Sequence, residues 1–532
     1  MRISYFLIAV MMFSLASSAA WAQALLRDPI RLDAGLVSGD TEKTVRVYRG
    51  IPFAAPPLGT LRWKPPQPVA PWDGVRVCKA PGPWCPQPKP ALGMEGARQD
   101  EDCLYLNVWT PARTTDAKLP VMVWIHGGGC TTGSGSAPYY NGTNLAQQGV
   151  VLVTINYRLG PFGFLAHPLL SKESPQHVSG NYGFLDQIAA LRWVQRNIAA
   201  FGGDPGCVTV FGESAGSACI CRLLVSPLAQ GLFHRAICES GALGGDRYLR
   251  ASRNGLESGE QMGERVAAVL GCDTAADPLA ALRAKSAAEI LRATNPKQGL
   301  FGNGDKYGPL VDGWAIPDAP EVLLAAGKFA HVPLLLGTNA DEGTIFLQQL
   351  PVRRAAGYRL LVRSLFPRDA DAILKLFPAQ RDTEVPAAMN KLVTVTVFIG
   401  YTRALARLTS AGGAPTYLYH FTRVPPTPRK ENLGAFHSLE IFYVFGNFPT
   451  RYAPADVDTR LAQTMSAYWV HFAKTGDPNG GARPTWPRYA TATDRHLVLG
   501  DEVKAASGLY REACDLFDQI RKEWRGEHLS EP

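Results

Sequence analysis

The segment that most constrains the fold is a buried strand that breaks into a helix through a turn of small residues. Residues 208–211 are Val-Thr-Val-Phe, and residues 212–216 are Gly-Glu-Ser-Ala-Gly. A Gly-x-Ser-x-Gly turn between a strand and a helix lifts the serine hydroxyl out of the backbone at the end of a sheet. The flanking residues are small because the turn is tight and neighbouring backbone passes close to it. We therefore expect Ser214 to be a nucleophile that attacks acyl bonds.

The motif alone is weak, because Gly and Ser are common residues and the pattern arises by chance. The alternative interpretation is a turn of small residues that carries no chemistry. Here a β-branched strand precedes the motif and an apolar helical stretch follows it. That context favours the nucleophile.

Composition narrows the class of protein. The chain has 532 residues, of which 46% are hydrophobic and 19% are charged, an ordinary balance for a globular protein. The net charge of +8 is modest, and no cluster of Lys and Arg alternates with aromatic residues. Composition therefore argues against nucleic-acid binding.

The N-terminal residues have the pattern of a secretory signal peptide. Met1 and Arg2 precede a largely apolar run over residues 3–15, and Ala20-Trp21-Ala22 follows. We expect a signal peptide over residues 1–22, cleaved after Ala22. The product would be secreted or periplasmic, with no membrane attachment after cleavage. No linker or repeat divides residues 23–532, which we expect to form a single domain.

Strands and helices alternate along the chain. Buried strands are predicted at residues 122–125, 150–155 and 208–211, and further strands at 236–238, 333–336 and 416–419. Apolar residues at helical spacing over 184–198 predict a helix that packs on the sheet. The alternation predicts a wound, mostly parallel α/β sheet with helices on both faces. Helical stretches near 250–330 and 350–410 are expected to be insertions around that sheet.

The groups that could complete a serine site follow predicted strands or lie in loops. Ligands of open α/β sheets bind at the carboxyl ends of the strands. Glycines at 127–129 follow a strand and can turn backbone N–H groups toward a substrate oxyanion. The N–H of Ala215, at a helix start, is a further donor.

A base and an acid are needed as well. Among ten histidines, His437 lies in a loop far downstream of the serine, and the order nucleophile, acid, histidine is typical of this fold. The candidate acids Asp341 and Glu342 are adjacent. Chain order cannot choose between them, and Asp341 could equally be a turn residue.

The chain resembles the type-B carboxylesterases, a family that also holds cholinesterases and several fungal lipases. The resemblance covers nearly all of residues 23–532. It is carried by the blocks at residues 50–54, 56–63, 101–108, 156–160, 201–205, 212–216 and 472–478.

The resemblance implies the α/β-hydrolase fold and assigns roles to particular residues. In the family's Asp-Glu-Gly motif the glutamate is the acid, which selects Glu342, and the family's late histidine falls on His437. The oxyanion donors fall on Gly128, Gly129 and Ala215. The resemblance implies no metal and no organic cofactor.

The family's first disulfide falls on Cys85 and Cys103, so the resemblance implies that bridge. The segment between these cysteines contains no tryptophan, whereas cholinesterases place there the indole that binds a quaternary ammonium. We therefore expect a small-molecule ester other than a choline ester. The loop is rich in proline, which favours an esterase over a lipase with a mobile flap.

The sequence thus predicts a serine carboxylesterase that works through an acyl-enzyme on a Ser214–Glu342–His437 triad. Two alternatives stay open. One is a binding or adhesion protein that keeps this fold without catalysis, although such proteins usually lack a triad residue. The other is a hydrolase of amides, carbamates or thioesters, which the same groups can attack. The sequence indicates no oligomeric state.

Overall fold

The structure is a computed structural model that describes residues 25–88, 97–241, 243–253, 255–348 and 350–524. The predicted signal peptide over residues 1–22 lies outside the described residues, and it stays a prediction, as does export. Most of the proline-rich loop between Cys85 and Cys103, residues 89–96, also lies outside them.

The strands of the described part of the chain form two sheets. The strands are β1 (Ile30–Arg31), β2 (Leu36–Ser38), β3 (Asp40–Glu42), β4 (Val45–Pro52), β5 (Val75–Val77), β6 (Tyr105–Thr110), β7 (Leu119–Ile125), β8 (Val151–Ile155), β9 (Gly203–Glu213), β10 (Arg235–Glu239), β11 (Leu334–Asn339), β12 (Thr416–Phe421), β13 (Arg495–Leu499) and β14 (Val503–Ser507). Within the described residues, eleven of them form one sheet in the order β14-β13-β12-β11-β10-β9-β7-β8-β6-β4-β3, and β1, β2 and β5 form a smaller one.

The central part of the large sheet is parallel, as the alternation of strands and helices predicts. Parallel pairs join β8 to β7, β7 to β9, β9 to β10, β10 to β11, β11 to β12 and β12 to β13. The edges are antiparallel: β6, β4 and β3 extend one side, and β14 closes the other. Because these strands are parallel, the carboxyl ends of β7, β9, β10 and β11 lie at the same edge of the sheet. The chain is wound on both sides of β7, with β8 on one side and β9 on the other.

Both faces of the central strands are buried. Along β7, Val121 and Val123 belong to one apolar core and Met122 and Trp124 to the other. Because successive side chains of a strand point to opposite faces, helices must cover both sides of the sheet. The predicted continuous apolar runs are therefore confirmed as strands covered on two faces.

Helices cover the sheet and form the insertions. The helices are α1 (Thr143–Ala146), α2 (Gly160–Phe164), α3 (Pro168–Glu173), α4 (Tyr182–Asn197), α5 (Ala215–Val225), α6 (Gly259–Val269), α7 (Pro278–Ala284), α8 (Ala287–Thr294), α9 (Pro320–Ala325), α10 (Thr344–Leu347), α11 (Ala355–Leu365), α12 (Ala370–Leu376), α13 (Val385–Val393), α14 (Gly400–Ala411), α15 (Pro426–Lys430), α16 (Ile441–Phe445), α17 (Asp456–Thr475) and α18 (Arg511–Trp524). The helix predicted at 184–198 is α4, and the stretches predicted as helical insertions contain α6 to α9 and α11 to α14.

One irregular helical segment lies between two of the insertion helices. A π-helix over Thr394–Ile399 joins α13 to α14, and π-helical turns are frequent at functional sites.

Among the described residues, no helix is both long enough and apolar enough to pass through a bilayer.

Candidate active site

Ser214 lies at the sharp turn between β9 and α5. Its backbone has φ 55° and ψ −120°, a conformation that L-residues rarely adopt and that a well-packed surrounding must hold in place. Its N–H donates to the carbonyl of Glu239 at 2.8 Å, and its side chain is half-buried. The hydroxyl therefore stands at the end of the sheet where solvent can reach it.

The small residues around Ser214 are required by the neighbouring strand. A Cβ on Gly216 would lie 2.0 Å from the carbonyl oxygen of Ile125, and a Cβ on Gly212 would lie 2.5 Å from the same oxygen. Any larger residue would push β9 and α5 away from the end of β7. The close approach inferred from the sequence is thus confirmed.

The loop after β7 packs directly against this turn. A Cβ on Gly127 would lie 3.0 Å from the Cβ of Ser214. Gly128 has φ +97° and Gly129 has φ +65°, so the loop uses the left-handed region that favours glycine. Thr131 and Thr132 donate their N–H groups to the carbonyl of Gly128, each at 3.0 Å, which turns that carbonyl away from the site.

Three backbone N–H groups face no protein acceptor. Within the described residues, the amides of Gly128, Gly129 and Ala215 donate no hydrogen bond. Ala215 begins α5, where N–H groups are unpaired and the helix dipole favours negative charge. These are the three donors that the resemblance implies, and they lie on the two segments that meet at Ser214.

The histidine of the same loop anchors it. His126 is buried, stacks on Tyr157 with ring centroids 4.5 Å apart, and has its Nδ1 2.9 Å from the carbonyl of Gly127. Burial lowers the pKa of His126 to about 4. A neutral imidazole packed in this way holds the loop in place.

Glu342 and His437 meet at the carboxyl end of β11. An oxygen of the Glu342 carboxylate lies 2.7 Å from His437 Nδ1, and the other accepts the N–H of Asn339 at 2.6 Å. Glu342 is fully buried and His437 is 5% exposed, so the pair is shielded from water. The structure brings together the acid and the base that the resemblance implies.

The adjacent acid, Asp341, forms its hydrogen bonds with other residues. Its carboxylate accepts the side-chain amide of Asn390 and the N–H of Ala435, both at 2.8 Å. It therefore ties α13 to the loop that carries His437. Of the two adjacent acids, Glu342 is the one whose carboxylate contacts His437.

The other nitrogen of His437 points at the turn that carries the serine. His437 Nε2 lies 3.0 Å from Oε1 of Glu213, the residue before Ser214, and Ser438 also donates to that oxygen. Within the described residues, no hydrogen bond joins Ser214 to His437. Phe346 and Phe398 pack against the imidazole, with ring centroids 5.1 and 4.8 Å from its own.

Charges around His437 favour its protonation. Burial acts to lower the pKa of His437, but Glu213 and Glu342 outweigh it and the pKa is raised above 6.5. Burial raises the pKa of Glu213 to about 7, although His437 opposes that shift. The charge state of the imidazole therefore depends on that of Glu213, and the reverse.

Sequence reasoning missed a set of buried acids behind the turn. Besides Glu213, these are Glu239, which accepts the indole N–H of Trp469 at 2.7 Å, and Glu440, which accepts the hydroxyl of Ser240 at 3.1 Å. Burial raises the pKa of Glu239 to about 8, and that of Glu440 well above its ordinary value. The sequence marks only two of them: Glu213 lies inside the serine motif and Glu440 lies three residues after His437, whereas Glu239 ends β10 with no motif around it.

The cysteines are thiols in this structure. Cys85 and Cys103 are both buried and unbridged, although a hydrogen bond between them is the largest cause that raises the pKa of Cys103. The Cys85–Cys103 disulfide implied by the resemblance is therefore not shown and stays a prediction. The other cysteines are thiols as well, and all of them are buried except the partly exposed Cys207.

The fold and the site together define an α/β-hydrolase. The model of the carboxylesterase family matches residues 28–517, and the chain belongs to that family. It is a carboxylic-ester hydrolase, with a small-molecule ester as its substrate.

Named relatives cover most of the chain. It is 40% identical over 519 residues to a fumonisin B1 esterase of Sphingopyxis macrogoltabida, covering 93% of this chain and 91% of that protein. It is also 40% identical over 493 residues to the para-nitrobenzyl esterase of Bacillus subtilis (strain 168), with 88% and 94% covered. A solved structure of PNB esterase superposes with a TM-score of 0.78 at 37% identity, covering 91% of this chain and 99% of that one. These similarities confirm the predicted fold and family.

Proposed function

We propose that the chain hydrolyses carboxylic esters through a covalent acyl-enzyme formed on Ser214. The observation that carries the proposal is the geometry of His437, whose Nδ1 is fixed by Glu342 at 2.7 Å while its Nε2 faces the turn that presents the serine. A serine hydroxyl needs such a base, because it is a weak nucleophile near neutral pH. Glu342 holds the tautomer in which Nε2 is free to accept a proton.

The reaction proceeds in two halves. His437 exchanges its Nε2 contact with Glu213 for one with the neighbouring Ser214 hydroxyl, and takes the hydroxyl proton as the oxygen attacks the ester carbonyl. The amides of Gly128, Gly129 and Ala215 donate to the oxyanion, which their lack of protein acceptors supports. His437 then passes the proton to the leaving alkoxide, and water repeats the sequence to release the acid.

The direct test combines turnover with active-site labelling. The protein should hydrolyse p-nitrophenyl butyrate, and a fluorophosphonate should stop that activity at a stoichiometry of one. Peptide mass analysis should locate the phosphonyl group on Ser214, because only an activated serine reacts quickly with this reagent. A folded protein that neither turns over the ester nor takes the label would support the non-catalytic binding role instead.

The activity should fall as the pH is lowered. The base must be neutral to accept the serine proton, and the pKa of His437 is raised above 6.5 by Glu213 and Glu342. We therefore expect kcat/KM to decline below a midpoint that lies above 6.5. A profile of kcat/KM against pH with an uncharged ester measures it, and a flat profile across that range would exclude His437 as the base.

A further inference from the structure

Lys306 lies close to the catalytic turn, on the loop that follows α8. Lys306 lies two residues before Gly308, and a Cβ on Gly308 would lie 3.9 Å from the Sγ of Cys130. Cys130 directly follows the oxyanion glycines. The loop of Lys306 therefore packs against the segment that carries Gly128 and Gly129.

The same lysine also reaches the segment that follows β10. A Cβ on Gly245 would lie 2.8 Å from the ammonium nitrogen of Lys306, so the ammonium lies over this glycine. At the start of that segment, a Cβ on Gly241 would lie 2.2 Å from the carbonyl oxygen of Ser214. Gly241 and Gly245 are four residues apart, a span of at most about 14 Å of extended chain. Lys306 is thus held between two segments that both touch the catalytic turn.

The charge of Lys306 is not neutralised. Arg222, on α5, forms an ion pair with Asp246, which leaves that carboxylate engaged. In the described part of the chain, Lys306 makes no ion pair and no hydrogen bond. Arg222 and Lys297 add positive charge around Lys306, and Asp246 offsets part of it.

Water reaches Lys306, although two segments of the chain lie beside it. The side chain is exposed to solvent, yet burial is the largest cause that lowers its pKa, followed by Arg222. Both observations hold for a group that water reaches but protein surrounds. An unpaired cation with other cations nearby attracts anions, because a negative partner offsets the repulsion among the positive charges.

We propose that Lys306 is an anion subsite that makes this enzyme prefer esters carrying a carboxylate away from the scissile bond. The proposal rests on the serine-esterase function above, and it names the substrate class of that site. The ester carbonyl would bind at Ser214, and the remote carboxylate would bind the ammonium over Gly245. Esters with a cationic group would be rejected by the same charge.

Matched esters test the proposal by titration of the released acid. Monoethyl adipate and monoethyl suberate place a carboxylate on the acyl side, with ethyl heptanoate and ethyl nonanoate as uncharged counterparts. The ester ω-acetoxyhexanoate places it on the alcohol side, with heptyl acetate as its counterpart. We expect the wild-type kcat/KM for the anionic ester of at least one side to equal or exceed that of its uncharged counterpart, and the preference to weaken as salt is added.

The variants separate charge from shape. Lys306→Met should lower kcat/KM for the preferred anionic ester by about 10- to 100-fold, the effect of losing a charged hydrogen bond, and change the uncharged counterpart by less than about threefold. Lys306→Arg should keep most of the preference, because it keeps the charge. Lys504→Met is the control: Lys504 lies on β14 and pairs with Glu502 at 2.7 Å, and its loss should change neither ester.

The outcomes are distinct. If Lys306→Met changes charged and uncharged esters equally on both sides, or if the wild type discriminates against every anionic ester, the subsite is overturned while the esterase function stands. If no ester is hydrolysed by a folded wild-type protein, the proposed function fails and the subsite with it. A thermal midpoint unchanged in Lys306→Met shows that the variant is folded.

Discussion

Replacing Ser214 with alanine is expected to lower kcat for p-nitrophenyl butyrate by about 10⁴- to 10⁶-fold without unfolding the protein. The loss is large because no other group can form the acyl-enzyme, so only the oxyanion donors and the binding surface would remain. Within the described residues the Ser214 hydroxyl makes no hydrogen bond, so removing it breaks no contact. The thermal midpoint should therefore not fall.

A second serine, at the opposite end of α5 from Ser214, supplies the matched control. Ser226 directly follows α5, is buried, and donates to the carbonyl of Ala315 at 2.6 Å. Ser226→Ala should lower stability by about 1 kcal/mol through the lost hydrogen bond and leave kcat within a few-fold. Fluorophosphonate labelling should disappear in Ser214→Ala and persist in Ser226→Ala. Near-normal turnover by Ser214→Ala, after contaminating esterase is excluded by that labelling, would remove Ser214 from the mechanism.

The sequence could predict the central sheet because its strands carry unambiguous local signals. The runs that became β7, β8 and β9 are apolar at nearly every position, as burial on both faces demands. The antiparallel strands β3, β4 and β6 were not predicted from the sequence. Asp40 and Thr41 of β3 are exposed, so its sequence does not differ clearly from that of a loop. In β4 and β6, polar residues such as Arg49 and Asn107 interrupt the apolar runs.

The sequence predicts the residues of the candidate site only where a motif marks them. The position of Ser214 follows from a local turn, but the choice of Glu342 over Asp341 came from the family resemblance, because two adjacent carboxylates look alike in a sequence. What separates them is tertiary: Asp341 binds Asn390, far along the chain, and Glu342 binds His437. The lack of an ion-pair partner for Lys306 likewise depends on its distances from acidic groups in the folded protein. No pattern of residues in the sequence predicts those distances.

The two carboxylates that contact His437 should differ sharply when each loses its charge. Glu342→Gln is expected to lower kcat by about 10³- to 10⁴-fold, the scale reported by mutation of the third group in serine hydrolases. The glutamine oxygen would keep the N–H of Asn339, so the amide NH₂ would face Nδ1 of His437. The imidazole would then carry its proton on Nε2, and could not accept the proton of Ser214.

Glu213→Gln should behave differently, because Glu213 contacts Nε2 and not Nδ1. Glutamine can still accept the hydroxyl of Ser438, and its loss of charge removes one of the groups that raise the pKa of His437. We expect kcat at the optimum to fall by less than about 30-fold, since the tautomer is preserved, and the acid limb of the pH profile to move to lower pH. Profiles of kcat against pH for both variants measure this contrast. A larger loss for Glu213→Gln, with each variant at its own optimum, would assign the acid of the triad to Glu213, and equal losses would contradict the assignment of that role to Glu342 alone. The reason is that the carboxylate that fixes the imidazole is the one whose charge the reaction cannot lose.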